Sequence, residues 1–125
     1  MSAGKPTVLV LDDDRLTLEL YTRELNGEFH IITSESVLET RLYLKKNDFD
    51  ALIIEPEVNN GEGWNLLEEI HANPNSPPVV LCSVDDDRKT GMGQGAFAFL
   101  VKPVLPSILH ALLNQLILKK CSKLP

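Results

Sequence analysis

Six polar side chains of this 125-residue sequence are of types that together handle phosphoryl groups and hard metal ions: Asp12, Asp13 and Asp14 in one run, then Glu55, Ser83 and Lys102. Adjacent carboxylates repel, so they persist cheaply only when solvated, paired with a cation or holding a hard ion such as Mg²⁺. A third carboxylate, Glu55, can complete such a site, the Ser83 hydroxyl can hydrogen-bond an anionic group, and the Lys102 ammonium can neutralise it. A lysine placed directly after apolar residues needs an anionic partner nearby. The set reads as a phosphoryl-handling constellation if the chain brings it together. The plainer alternative for Asp14 and one neighbour is that they cap and charge the helix that follows.

What positions these groups is a repeated pattern. Val8-Leu9-Val10-Leu11 runs into Asp12, Ala51-Leu52-Ile53-Ile54 into Glu55, Val79-Val80-Leu81-Cys82 into Ser83, and Ala96 to Val101 into Lys102. Continuous aliphatic runs of this length read as strands buried on both faces. Phe29 to Thr33 is a further short β-branched run, with His30 at a strand edge. Between the runs lie helical patterns: Arg15 to Leu25, with Leu18, Tyr21 and Leu25 on one face and Asn26-Gly27 as a stop; then Ser36 to Lys46, opened by the capping-box pair Ser36 and Glu39 and closed by Asn47-Asp48. A polar, glycine-bearing loop through Gly63 precedes a helix from Trp64 to Ile70, ended by Asn73-Pro74. Asp85 to Gly95 is acidic and then glycine-rich, so a fourth helix there is short or mobile, and its glycines have the wrong spacing for a dinucleotide loop. Ser107 can cap a last helix bearing Ile108, Leu109, Leu112, Leu113 and Leu116. Five alternations of strand and helix imply an α/β domain, a parallel sheet between helices with right-handed crossovers. In such sheets the functional crevice lies beyond the carboxyl ends of the strands, where all of the polar groups would fall.

The length suits one domain with a core at about residues 7–117, leaving 118–125 as a tail or linker stub. A net charge of −6 argues against direct nucleic-acid or anionic-membrane binding. No signal peptide or membrane-spanning run is apparent, which points to a cytoplasmic protein. Cys82 and Cys121 have neither metal-ligand nor redox spacing and read as free thiols.

Four motifs in order then make the sequence resemble the receiver domain of two-component response regulators, over roughly Thr7 to Leu116. They are Val8 through Asp14, the third-strand site with Gly63 downstream, Val80-Leu81-Cys82-Ser83, and Phe99-Leu100-Val101-Lys102-Pro103. The resemblance implies a doubly wound, five-stranded, flavodoxin-like (βα)₅ sheet in the order 2-1-3-4-5. It implies that Asp12 and Asp13 bind Mg²⁺ with the backbone carbonyl of Glu57, that Ser83 is the switch hydroxyl, that Lys102 pairs with a phosphoryl group and that Phe99 is the switch aromatic. The implied partners are signalling proteins (a histidine kinase, a phosphotransfer protein or an output domain) and a second copy meeting it through the fourth helix, fifth strand and last helix. No organic cofactor and no enzyme activity are implied.

One departure dominates. Glu55 stands where the family has its phospho-accepting aspartate. Glutamate is longer by one methylene, about a bond length, and in-line phosphoryl transfer tolerates misplacement on that scale poorly. This marks the chain as a pseudo-receiver that does not undergo ordinary phosphorylation. Either Glu55 reaches Lys102 and Ser83 and mimics the switched state, or the switch is lost and the domain is a phosphorylation-independent interaction module. Asn59 also replaces the family's usual proline. The competing enzyme reading is a haloacid-dehalogenase-like, Mg²⁺-dependent phosphohydrolase using Asp12 and Asp14. Leu16 in place of a hydroxyl residue, and no acidic pair after the lysine, weigh against it. A flavin binder would need a phosphate loop where the three acids lie.

Overall fold

The computed structural model describes residues 4–122, with side chains through residue 118. Ten elements alternate along the chain: β1 (Thr7–Leu11), α1 (Arg15–Leu25), β2 (His30–Ser34), α2 (Val37–Lys46), β3 (Ala51–Ile54), α3 (Val58–Ala72), β4 (Val79–Ser83), α4 (Arg88–Gly93), β5 (Ala98–Val101) and α5 (Pro106–Ser122). The strands form one sheet in the order β2-β1-β3-β4-β5, every neighbouring pair parallel. This is the flavodoxin-like doubly wound architecture, so the fold expected from alternating apolar runs is the one observed.

Side chains alternate across each strand, and both faces of β1, β3 and β4 are buried. Leu9 and Leu11 join Leu52, Ile54, Leu81 and Phe99 in one layer, with Leu66, Leu67 and Ile70 of α3 and Val37 of α2 packed on it. Val8 and Val10 join Ile53 and Val80 in the other layer, under Leu18, Tyr21 and Leu25 of α1 and Leu109, Leu113 and Leu116 of α5. Each fully buried aliphatic is worth about 1.5–3 kcal/mol, which makes the central strands the least adjustable part of the molecule. Register does the positioning. Leu11 lies beside Ile54, Ile54 beside Leu81 and Ser83 beside Val101, so the residues that follow these strands emerge at one edge.

The helix starts follow local chemistry. Asp14 caps α1, its carboxylate accepting from the Leu16 N–H (3.3 Å) and the Thr17 hydroxyl (2.7 Å). Ser36 caps α2 by accepting from the Glu39 N–H at 3.1 Å. The Glu39 carboxylate turns instead to the Glu35 N–H and the Ser34 hydroxyl, so the capping box closes one residue early. The expected Ser107 cap is corrected: α5 begins at Pro106, and Ser107 lies within its first turn. Proline suits that first position because its φ is preset and its missing N–H would have had no helical partner. Strand β5 likewise starts at Ala98 rather than Ala96, because the Gly95 and Ala96 N–H groups are taken by Met92 and Gly91 at the end of α4.

Helix α4 is short, as its glycines imply, yet it is firmly seated. A Cβ on Gly91 would lie 2.7 Å from Leu81 Cδ1 and 2.8 Å from Phe99 Cδ2, so only glycine lets this helix rest directly on β4 and β5. The polar, glycine-bearing loop expected before the regular part of α3 is present, although α3 is bounded from Val58. Asn59, Asn60 and Gly61 carry φ of 50°, 58° and 90°, a left-handed reversal, and the regular right-handed helix follows it.

Candidate functional site

The backbone extends past each strand end in the same way. Asp12 N–H donates to the Ser34 carbonyl, Glu55 N–H to the Leu11 carbonyl and Lys102 N–H to the Ser83 carbonyl, so each residue is held one step beyond its strand. Their side chains converge. Lys102 Nζ lies 2.7 Å from Asp12 Oδ2 and 3.1 Å from Glu55 Oε1. The side chains of Lys102, Asp12 and Glu55 are only 14%, 3% and 9% exposed. The remaining carboxylate oxygens are also used: Asp12 Oδ1 accepts from the Asp14 N–H at 2.9 Å, and Glu55 Oε2 from the Glu57 N–H at 3.0 Å. Two buried anions thus share one partly buried cation.

Electrostatics follow from that arrangement. Burial works against the Lys102 ammonium, but its hydrogen bond to Asp12 and the charges of Asp12 and Glu55 outweigh this and raise its pKa above the ordinary lysine value. Beneath the triad, the Tyr21 hydroxyl and the Cys82 thiol lie close enough to influence each other's ionisation. Burial, reinforced by Cys82 and Asp12, raises the Tyr21 pKa, and burial pushes the Cys82 thiol up to about 12 against the opposing pull of Lys102. Both stay protonated at neutral pH. Cys82 is a free thiol, whereas the Cys121 side chain and the end of the tail lie outside the described residues.

The other expected site residues are distributed around the triad. Ser83 is fully buried, and its Oγ accepts from the Asp85 N–H at 3.3 Å. Among the described residues it makes no hydrogen bond to Glu55 or Lys102. Phe99 is turned inward, buried against Leu81 in the layer that α4 covers. Asp13 is exposed. The Glu57 carboxylate accepts from Trp64 Nε1 at 2.9 Å, while its backbone carbonyl accepts from the Gly61 N–H at 3.2 Å. A hollow of about 340 Å³ between α1 and the β5–α5 connection is lined by Thr17, Tyr21, Val84, Lys102 and Val104. A roomier cleft of about 690 Å³, lined by Arg41, Phe49, Leu66, Glu69 and Pro77, belongs to the opposite end of the sheet and to none of this chemistry.

The oxygen donors at this edge, the Asp12 and Asp13 carboxylates and the Glu57 carbonyl, are of the hard type that Mg²⁺ takes. Among the described residues, no group of three or more His, Cys, Asp and Glu side chains is arranged to hold a metal ion. The ammonium of Lys102 already supplies the positive charge that Asp12 and Glu55 require.

The sequence singles out Asn59 as a departure but not its role, accepting from the Val37 N–H at 2.8 Å, and it gives no sign of the Tyr21 and Cys82 pair or of the close seating at Gly91. The run Asn59-Asn60-Gly61 does carry a signal, since asparagine and glycine are the residues that most readily take positive φ. The phosphohydrolase alternative finds no support, because the Asp14 carboxylate, its would-be acid, is spent on the start of α1.

Comparison with known proteins agrees with the geometry. The family model described as the response regulator receiver domain matches residues 8–114. The chain is 29% identical over 120 residues to the two-component response regulator ARR14 of Arabidopsis thaliana, covering 91% of this chain and 31% of that protein. It is 30% identical over 99 residues to the transcriptional regulatory protein HprR of Escherichia coli, covering 77% of this chain and 44% of that protein. The chain therefore spans about a third to a half of these curated relatives. Among solved structures, the Francisella response regulator 1452 receiver domain matches with a TM-score of 0.87 at 22% identity, covering 93% of this chain and 99% of that one. The receiver domain protein of Methanospirillum hungatei matches at 0.88 and 18% identity, covering 96% and 99%. These two likenesses establish the fold. With the family model spanning most of the sequence, and with the acids, hydroxyl and lysine standing at the expected strand ends, the chain belongs to the response regulator receiver domain family.

Proposed function

We propose that this receiver domain works in two-component signalling as a protein-interaction module that is set without an acyl phosphate. The observation that carries the reading is that both oxygens of Glu55 are engaged, one by Lys102 and one by the Glu57 N–H. A carboxylate held on both sides by donors, and longer by one methylene than the aspartate usual at this position, is a poor in-line nucleophile. Its negative charge already occupies the partner of Lys102, and the inward Phe99 packed under Gly91 is consistent with a fixed setting. Ser83 contributes to this setting through the Asp85 N–H rather than through Glu55. The switch is therefore held by the lysine and not by the hydroxyl.

Magnesium in this reading is held by Asp12, Asp13 and the Glu57 carbonyl, where it adds positive charge at the acidic edge. It must compete with Lys102 for Asp12. Residues 7–117 act as one receiver unit, and the partners are a histidine kinase, a phosphotransfer protein or an output domain. Met92, Val101, Leu105 and Ile108 are exposed on α4, β5, the connection after it and α5, which supports that face as the meeting surface for a partner or a second copy. No described helix is long and apolar enough to cross a membrane, and the acidic balance disfavours direct contact with nucleic acid or anionic lipid. We place the protein in the cytoplasm as a signalling module rather than an enzyme. The test is incubation with a small phosphodonor and Mg²⁺, read by intact mass: no phosphoryl adduct is expected, and a stoichiometric adduct on Glu55 overturns the proposal.

A further inference from the structure

The segment from Glu55 to Gly63 has more internal fastening than a connection between a strand and a helix requires. Glu55 Oε2 accepts from the Glu57 N–H, and the Glu57 carbonyl accepts from the Gly61 N–H. The Glu57 carboxylate is fixed to Trp64 Nε1 on α3. Gly63 lies flat on Pro56: a Cβ there would be 2.6 Å from the Pro56 carbonyl oxygen, and backbone cannot step aside. Between these fastenings the chain reverses through Asn59, Asn60 and Gly61 in the left-handed region. Asparagine is among the few side-chain-bearing residues that take that conformation at low cost.

The reversal aims one group at another element. Asn59 Oδ1 accepts from the Val37 N–H at 2.8 Å. Val37 is the first residue of α2, so its N–H has no partner inside the helix. Ser36 satisfies the Glu39 N–H and leaves Val37 to the neighbouring segment. The start of α2 is thus capped half by its own serine and half by a residue 22 positions away. The proline usual in the family at this position could supply neither the acceptor nor a φ of +50°.

We propose that residues 55–63 form a preformed strap that couples the charge at position 55 to the first turn of α2, with Asn59 as its positioning residue. The chain of contacts is short: Lys102 to Glu55, Glu55 to Glu57, Glu57 to Gly61 across the reversal, and Asn59 to Val37. Both oxygens of Glu55 accept, so a glutamine there must turn its NH₂ toward one of two donors, Lys102 or the Glu57 N–H. Either choice breaks a contact in the chain. The signalling use of this coupling rests on the reading of Glu55 as a permanent carboxylate, whereas the coupling itself does not.

Amide hydrogen exchange on the full chain tests it, with no phosphodonor present, so that an adduct on Glu55 in the mass experiment and a failure of the strap are separate results. The variants are Asn59→Gly, which keeps the left-handed backbone and removes the acceptor, Asn59→Asp, which keeps both, Glu55→Gln, and Glu55→Gln with Asn59→Gly. The Leu9 and Ile53 amides, in the middle of the sheet, report global opening. Expected is exchange at Val37 roughly five- to tenfold faster in Asn59→Gly and close to wild type in Asn59→Asp. Glu55→Gln should accelerate Glu57 and Val37 together, with no further gain at Val37 in the double variant. Val37 exchange unchanged by Glu55→Gln, or accelerated equally in the Asn59→Gly background, overturns the proposal.

Discussion

Replacing Lys102 with methionine removes the only cation bonded to Asp12 and Glu55 among the described residues and keeps most of the apolar stem. Both carboxylate oxygens lie within hydrogen-bond reach of one nitrogen, so at most about 6 Å separates them. At about 5–6 Å, with an effective dielectric of about 20, two like charges repel by about 3 kcal/mol. Breaking a buried ion pair by deleting one partner costs about 3–5 kcal/mol, in agreement. For a domain of this size that loss corresponds to a fall in Tm of about 10–20 °C. In the variant the two carboxylates face each other with no cation between them. In the wild type the Lys102 pKa is raised, so its stabilisation is complete below the ordinary lysine pKa of about 10.4 and is lost as pH rises through the higher folded value. Urea unfolding of both proteins at neutral pH reads the difference. Lys102→Met with Glu55→Gln should recover most of the loss, because the glutamine NH₂ can then donate to Asp12. A Lys102→Met penalty under about 1 kcal/mol at neutral pH refutes the shared cation.

Four further outcomes follow from the same contacts. Gly91→Ala should destabilise by about 1–3 kcal/mol through its clash with Leu81 and Phe99, whereas Gly93→Ala, with open space around it, should be neutral or gain up to about 1 kcal/mol; chemical denaturation separates them. Asp14→Ala should cost about 1 kcal/mol in thermal unfolding through loss of the α1 cap and leave Mg²⁺ affinity unchanged. Cys82, buried and with its thiol pushed up to about 12, should resist a thiol reagent at pH 8 until the chain unfolds, as followed by mass. Mg²⁺ titration followed by Trp64 fluorescence should show saturable binding that tightens in Lys102→Met, because the ion no longer competes with the ammonium for Asp12; weaker binding in that variant would contradict the proposed metal site.

The fold was legible because the strongest physical signal, aliphatic runs buried on both faces, is also the most local one. Val8 to Leu11 and Ala51 to Ile54 needed no tertiary information to be recognised as central strands. The convergence of Asp12, Glu55 and Lys102 could be anticipated because parallel strands deliver their last residues to a common edge. Contacts that depend on a side chain choosing among nearby donors were not legible. Ser83 takes the Asp85 N–H and Asn59 takes the Val37 N–H, and no spacing rule singles out either partner. The start of α5 is set by the ring of Pro106, a geometric constraint, and not by the capping hydroxyl of Ser107 that the local pattern favours. The close seating of α4 depends on Leu81 and Phe99 lying under Gly91, which appears only once β4 and β5 are side by side.

In the reading proposed above, Glu55 is what keeps this domain from being switched by phosphorylation. The most direct test of that reading is a side-by-side comparison of wild type and Glu55→Asp, each treated with a small phosphodonor and Mg²⁺ and followed by backbone amide spectra and intact mass. The account predicts no adduct and an unchanged spectrum for the wild type, but a phosphoryl adduct with shifts around Ser83, Phe99 and Lys102 for Glu55→Asp. Phosphorylation of the wild type, or a Glu55→Asp protein as inert as its parent, would contradict it.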